Sequence, residues 1–283
     1  MTGEQFSEHP AKQLLRATMP LWSGVLLLLV VTGIAYGGWR HVRHRVLKEE
    51  KYHFATASVH VTKTPPWVPE TIVNDVMHEF NIGRVARQKL IDQELLQELA
   101  VAFRSYHWVE SVDAVRASFP ATVTLDLTYR TPVCMVQLPN MAGGYAVDRH
   151  GVHLPSDYFA TQPEDVVHRY IKVLGVKSMP TGNLGDKWGD VVVELAAALA
   201  DHLEPDHLFL GITSIRVETT GTNRYNTKHF FYLMTSRNTE ITWGEMPLEA
   251  DDMRKERLLE LVRQYGSLDK SPLNANNVID VRP

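Results

Sequence analysis

Cysteine is nearly absent from this chain, and its scarcity limits the chemistry open to the protein. Cys134 is the single cysteine among 283 residues, which excludes an internal disulfide and a cysteine-based zinc site. A strong charge imbalance is missing too, since the formal net charge is only -4. Because lysine and arginine form no broad stripe, the sequence predicts no nucleic-acid partner.

Groups of side chains that resemble a catalytic or metal centre are also scarce. Two clusters of acidic and histidine side chains are the candidates, and we interpret them as surface and capping residues. The first lacks the helical spacing of metal ligands, and the second lies at a helix end, where such side chains are common. The clusters are His150, His153, Asp148 and Asp157 at a predicted hairpin, and Asp201, His202, Asp206 and His207 at a predicted helix end. Cys134 lies in an apolar run, which predicts a buried thiol. We therefore predict a protein that is not an enzyme, with no cofactor, no metal and no small-molecule substrate.

The segment from Met19 to Trp39 has 21 residues without a charge. At about 1.5 Å per residue, a helix of this length matches a hydrocarbon core about 30 Å thick. Trp22 near one end, with Tyr36 and Trp39 near the other, fits an interfacial aromatic belt. We therefore predict one transmembrane helix over 19–39 and the lipid bilayer as a partner, with an N-terminal tail over 1–18 and a linker over 40–53.

Two observations on this segment leave alternatives open. Ala35-Tyr36-Gly37 offers small residues at the spacing of a signal-peptidase site, although the apolar run is longer than in most signal peptides. The charge count also opposes an extracytoplasmic C-terminal domain, but long domains translocate largely regardless of it. The downstream basic residues are Arg40, Arg43, Arg45 and Lys48, against Lys12 and Arg16 upstream.

Gly33 and Gly37 form a small-xxx-small pair within the predicted span. Such pairs let two helices approach closely in a membrane, so both glycines are candidates for a helix–helix contact. Glycine is frequent in spanning helices in any case, and that simpler interpretation stays open.

The residues from 54 to 131 predict one small domain with the element order β-α-α-β-β. Alternating apolar side chains predict a strand over 58–63, and two stretches with 3.6-residue periodicity follow Pro69 and Asp92. The clearest alternation, from Thr122 to Tyr129, predicts a strand with one buried face. Two helices on one face of a three-stranded sheet would complete this domain.

Residues 132–283 predict a second domain, mixed and mainly antiparallel, with flanking helices. The predicted helices cover 188–203 and a segment around Met253 to Tyr265, and the remaining elements are strands. The predicted strands lie at 170–175, 212–217, 229–235, 239–243 and 278–282. The fold class is thus α+β, after a single N-terminal transmembrane helix.

Several strings, in their order along the chain, resemble the FtsQ/DivIB family of bacterial cell-division proteins. Those that resemble the end of its POTRA domain and the crossing into its β domain are Trp108-Val109, Val115-Arg116, Val123-Thr124-Leu125 and Arg130-Thr131-Pro132-Val133. The string from Tyr145 to Val152 is similar to a family hairpin, and Val278 to Arg282 to its terminal strand. Tyr129 departs from the pattern, because the family often has an acidic residue there.

The resemblance implies a POTRA-like domain over 54–131, an FtsQ-type β domain over 132–283, and a membrane-anchored divisome scaffold without catalytic activity. It implies a single-pass protein of the cell inner membrane at the division septum, with a cytoplasmic N-terminus and extracytoplasmic domains. Small bitopic proteins of the FtsB and FtsL type would be its partners. Their assembly would then be coupled to septal peptidoglycan synthesis.

An exposed strand edge is the surface that such a scaffold offers to a partner, because a partner chain can add a strand to it. We predict this docking edge at the terminal strand with support from the strand before it. Its candidate residues are Asn277, Val278, Ile279, Asp280, Val281 and Arg282, with Thr239, Ile241 and Trp243. The alternatives are a POTRA-containing envelope or secretion scaffold unrelated to division, and an anchored hydrolase.

Overall fold

The computed structural model describes residues 27–42, 58–82, 93–118, 122–139, 141, 143–163, 169–221, 227–245, 251–274 and 276–282. Residues 27–42 form the first helix, α1, whose apolar side chains are exposed along its length. Residues 19–26 of the predicted span lie outside this set.

The prediction of an N-terminal transmembrane helix is wrong for the described chain. No helix there is both long enough and apolar enough to cross a membrane. The described residues of the predicted span, 27–39, belong to helix α1. Its last turn also carries Arg40 and His41, which lower its mean hydropathy.

The first domain is a three-stranded sheet under two helices. Its strands are β1 (Val59–Val61), β2 (Val109–Ser118) and β3 (Thr122–Tyr129), and its helices are α2 (Ile72–Glu79) and α3 (Gln93–Ser105). The sheet order is β1-β3-β2, with β1 parallel to β3 and β2 antiparallel to it. The apolar faces of both helices and of β3 are buried together in one core, as their periodicity predicts.

The second domain is built on one long mixed sheet. Its strands are β4 (Pro132–Val136), β5 (Tyr145–Asp148), β6 (His153–Leu154), β7 (Ile171–Leu174), β8 (Ile212–Thr220), β9 (Lys228–Thr235), β10 (Glu240–Glu245) and β11 (Val278–Asp280). Its helices are α4 (Asp157–Ala160), α5 (Val191–Leu203), α6 (His207–Leu210) and α7 (Asp251–Tyr265), with a 3-10 turn over Leu268–Lys270. The fold class is therefore α+β with a mixed sheet.

The strand order in this sheet is β11-β10-β9-β8-β7-β4-β5-β6. Three neighbouring pairs, β4–β7, β7–β8 and β10–β11, are parallel, so parallel pairing is more prominent than the sequence predicted. Parallel neighbours need a long connection, and α5 lies in the one between β7 and β8, while α7 lies between β10 and β11.

One face of the long sheet packs against α5 and α7. Buried aliphatic side chains on four successive strands stand opposite one another there: Ile215, Leu233, Ile241 and Ile279. The other face is partly covered by the first domain. Met135, Ala146 and Leu154 of β4, β5 and β6 belong to the same apolar core as the first domain's helices. The two domains therefore share a packed boundary.

Candidate functional site: the outer strand β11

Strand β11 is the outermost strand at one end of the long sheet. It pairs with β10 in parallel, with Val278 opposite Glu240, Ile279 opposite Ile241 and Asp280 opposite Thr242. Among the described residues, no strand pairs with its other side. An unpaired strand side presents backbone N–H and C=O groups to which another chain can bind.

Two hydrogen bonds define which backbone groups of β11 face outward. The N–H of Glu240 donates to the carbonyl of Asn277 at 2.8 Å, and the N–H of Val281 donates to the carbonyl of Thr242 at 3.3 Å. Backbone direction alternates along a strand, so Asn277, Ile279 and Val281 turn their polar groups toward β10. The groups of Val278 and Asp280 consequently face away from the sheet.

The side chains of β11 divide in the same alternating way. Ile279 and Val281 are 0% and 2% exposed and belong to the core under α7. Val278, by contrast, is 40% exposed, and Asp280 and Arg282 are exposed as well. Burial of Ile279 and Val281 stabilises the packing of β11 on the sheet. The exposed side chains of Val278, Asp280 and Arg282 are accessible to a partner.

Asp280 and Arg282 form a local ion pair on this edge. The Nε of Arg282 lies 2.9 Å from Oδ1 of Asp280, and the backbone N–H of Arg282 donates to the same oxygen at 3.0 Å. The side-chain hydrogen bonds from Arg282 lower the pKa of Asp280 below its ordinary value. The outward N–H of Arg282 is thus already occupied, which limits the open edge to Val278 and Asp280.

The predicted residues of the neighbouring strand lie behind this edge. Ile241 and Trp243 are fully buried, and Trp243 Nε1 donates to Oδ1 of Asp251 at 2.9 Å. Thr239 is also buried, and its hydroxyl donates to Oδ1 of Asp269 at 2.6 Å. The structure therefore brings Thr239, Ile241 and Trp243 next to β11, where they support the strand from inside the sheet.

The turn into β11 contains two residues that were not predicted from the sequence, Asn274 and Asn276, beside the predicted Asn277. Asn276 and Asn277 have φ angles of 56° and 64°, a left-handed conformation that asparagine adopts more readily than most residues. The side-chain amide of Asn274 donates to Thr239 Oγ1 at 3.3 Å and to the carbonyl of Asp269 at 3.1 Å. The local richness in asparagine before the terminal strand is the signal that could have identified this turn.

The other candidate clusters do not gather into a metal centre. No group of three or more metal-ligating side chains occurs in the part of the chain that the structure describes. Asp148 is buried against Arg130, and His150 lies on the surface, 3.3 Å from Glu110. His207 is buried, with its two ring nitrogens near the carbonyl oxygens of Glu204 and Arg169.

Cys134 and the glycine pair of α1 also have defined surroundings. Cys134 is completely buried, and burial raises the pKa of its thiol, which makes it a poor nucleophile at neutral pH. A Cβ placed at Gly33 or at Gly37 would meet open space in the described structure. The helix–helix contact proposed for these glycines stays a prediction.

Comparison of the whole chain with protein-family models and with curated proteins finds no match.

Proposed function

We propose that this chain is a non-catalytic scaffold of the bacterial division machinery, which holds a partner chain along the outer side of β11. The observation that supports the proposal is the arrangement of that strand. The side chains of Ile279 and Val281 are buried, and the outward backbone groups of Val278 and Asp280 pair with no strand among the described residues. Main-chain hydrogen bonds would provide affinity, and the exposed side chains would provide selectivity.

The partners in this proposal are small bitopic division proteins of the FtsB and FtsL type. The folded domains would lie on the extracytoplasmic face of the cell membrane, at the division septum, where assembly of these partners is coupled to peptidoglycan synthesis. The support for this location is the resemblance of the terminal string Val278 to Arg282, and of the strings at the domain boundary, to the FtsQ/DivIB family.

Proline substitution at Val278 tests the docking edge. Its backbone N–H faces outward, so Val278→Pro removes one partner hydrogen bond and no donor of the β11–β10 pairing. Because proline also disfavours the left-handed conformation of Asn277, hydrogen exchange of the Glu240 and Val281 amides is measured to show that this pairing is kept. Proline at Ile279 is unsuitable, because that residue's backbone faces β10 and its side chain is fully buried. Val278→Thr keeps the N–H and the β-branched shape, and it is the matched control.

The measurement is the dissociation constant of the full chain for the soluble segment of the host's FtsB-type protein, by isothermal titration calorimetry. We expect Val278→Pro to weaken binding by about tenfold, which corresponds to a loss of about 1.4 kcal/mol. Val278→Thr should bind like the wild type. Equal affinities for the proline and threonine variants would place the docking surface elsewhere.

The cellular part of the proposal is tested by fluorescence. A fluorescent fusion at the N-terminus should form a midcell band, and a reporter active only outside the cytoplasm should be active when fused after Pro283. Diffuse fluorescence with an active reporter would instead favour an envelope scaffold unrelated to division. An inactive reporter would contradict both scaffolds.

A further inference from the structure

A cavity of about 740 Å³ lies near β4, β5, β6 and β7, far along the sheet from β11. Its volume falls in the range of roughly 300–1,000 Å³ that is typical of small-ligand sites. The short helix α4 and the segments that flank it form part of the wall. Three strands, β8, β9 and β10, separate β7 from β11, so this cavity and the docking edge are distinct surfaces.

Most of the lining is apolar or aromatic. These side chains come from strands, from α4 and from loops: Met135, Met141, Tyr145, Pro155, Phe159 and Leu184. Edge-to-face contacts between aromatic rings fix the positions of lining side chains in two places. Tyr145 packs against His153 with ring centroids 5.4 Å apart, and Phe159 packs against Tyr170 at 5.1 Å. A cavity with such walls accommodates the apolar body of a ligand.

Lys172 is the basic side chain that lines this cavity in the described chain. It lies on β7, an interior strand, with Met135 opposite it on β4 and Ser214 opposite it on β8. The residue is half-buried, and it forms no ion pair with any residue that the structure describes. A cation in mid-sheet, beside the apolar side chain of Met135 and without an acidic partner among the described residues, favours an anionic ligand group.

The other titratable side chains of the lining indicate how much negative charge the ligand carries. Burial lowers the pKa of His153, so its ring is neutral at pH 7 and adds no positive charge. Asp157 also lines the cavity, and its side chain is exposed. The carboxylate of Asp157 disfavours additional negative charge, so a ligand with a single anionic group fits better than a polyanion.

We infer that this cavity binds a small molecule with one carboxylate on an apolar body, with the carboxylate at Lys172 and the body against Met135 and Phe159. This inference goes beyond the proposed scaffold function and does not depend on it. It involves binding alone and no chemical step.

Ligand-observed NMR on the full chain tests the inference with 4-phenylbutyrate and its neutral analogue 4-phenylbutanamide. Both have the same apolar body and differ in charge. We expect the carboxylate to bind about tenfold more tightly, since a charge-assisted hydrogen bond is about twice as strong as a neutral one. Saturable binding of 4-phenylbutyrate at millimolar or lower concentration is required.

Four variants assign the charge preference to this cavity. Lys172→Met should bind both compounds equally, while Lys172→Arg, which retains the charge, should keep the preference. Lys270→Met removes an exposed lysine outside the cavity and should behave like the wild type. Asp157→Asn should tighten binding of the carboxylate, because it removes a like charge.

The inference is overturned by absence of saturable 4-phenylbutyrate binding to the wild type, by equal affinity for the two compounds, or by an undiminished preference in Lys172→Met. Circular dichroism of each variant shows whether the fold is retained. If Lys172→Met unfolds, Lys172→Arg and Asp157→Asn still decide the outcome, because both keep a polar side chain at the substituted position.

Discussion

Arg130 and Asp148 are joined by an ion pair at the boundary between the two domains, with 2.7 Å between Nη1 and Oδ2. Asp148 is 1% exposed, and its other oxygen accepts hydrogen bonds from the backbone N–H groups of His150 and Val152, each at 2.9 Å. The backbone N–H of Arg130 donates to the carbonyl of Trp108 at 2.9 Å. One carboxylate thus connects the end of the first domain to the β5–β6 hairpin.

Removal of Arg130 should destabilise this boundary strongly. Arg130→Met would leave the Asp148 carboxylate buried without its cation, which typically costs about 3–5 kcal/mol. The measurement is the free energy of unfolding of the full chain in urea. The control is Arg116→Met, which breaks the exposed pair with Asp126 and should change stability by less than about 1 kcal/mol. Similar losses in both variants would contradict a structural role for the Arg130 pair.

Truncation of Ile279 should loosen β11 itself. Its side chain is fully buried opposite Ile241, so Ile279→Ala should cost about 2–4 kcal/mol of stability. Val278 is exposed on the same strand, and Val278→Ala should cost well under about 1 kcal/mol. Hydrogen exchange of the β11 amides and urea unfolding measure both effects. If the two alanine variants are equally stable, Ile279 does not anchor the strand.

Elements with a clear local pattern could be predicted from the sequence. Alternation of apolar and polar residues predicted β3 from Thr122 to Tyr129, and the structure has the same bounds, because one face of that strand is buried. The predicted helix over 188–203 begins later, at Val191, because Asp190 caps it: its carboxylate accepts from the N–H of Val192. Local patterns of this kind can be read from neighbouring residues.

Pairing between distant strands is different, because it depends on partners far apart in the chain. The sequence placed Thr239 to Trp243 at the docking edge, but β10 is paired on both sides, with β9 and with β11, so the open side belongs to β11. Similarly, nothing in the pattern of β7 indicates that β4 and β8 are its parallel neighbours. The cavity beside Lys172 results from that pairing, so the sequence reasoning could not detect it.

The thiol of Cys134 should be unreactive in the folded protein. Its side chain is completely buried, and burial raises its pKa, so both access and thiolate formation are suppressed. We expect a thiol reagent such as DTNB to modify the full chain slowly in buffer and rapidly in urea. A modification rate in buffer close to that of free cysteine would contradict the burial of β4 against the core.

Acid should destabilise the protein in part through His153. Burial lowers its pKa in the folded state below the ordinary value of about 6.5, so the unfolded chain binds a proton more readily. The contribution of neutral His153 is therefore complete above that value and is lost as the pH falls below it. His153→Phe keeps an aromatic ring beside Tyr145 and Trp188 and should show a weaker loss of stability in acid.

Urea unfolding at a series of pH values from neutral to acidic provides this measurement. His60→Phe is the control, since the side chain of His60 is exposed on β1. An acid dependence in His153→Phe that matches the wild type would exclude His153 as a source of the effect. His107, whose pKa burial also lowers, should maintain part of the acid dependence in every variant.

A side chain at Gly175 should be far more harmful than one at Gly266, although both glycines have positive φ angles, 91° and 79°. Gly175 follows β7 directly, and a Cβ there would overlap the carbonyl oxygen of Val217 on the neighbouring strand. A Cβ at Gly266, after α7, would meet open space. Alanine at Gly266 thus carries only the conformational cost of about 1 kcal/mol. Alanine at Gly175 must also separate β7 from β8, so we expect a several-fold larger loss in urea unfolding. Equal losses would mean that the close approach of these two strands does not contribute to stability.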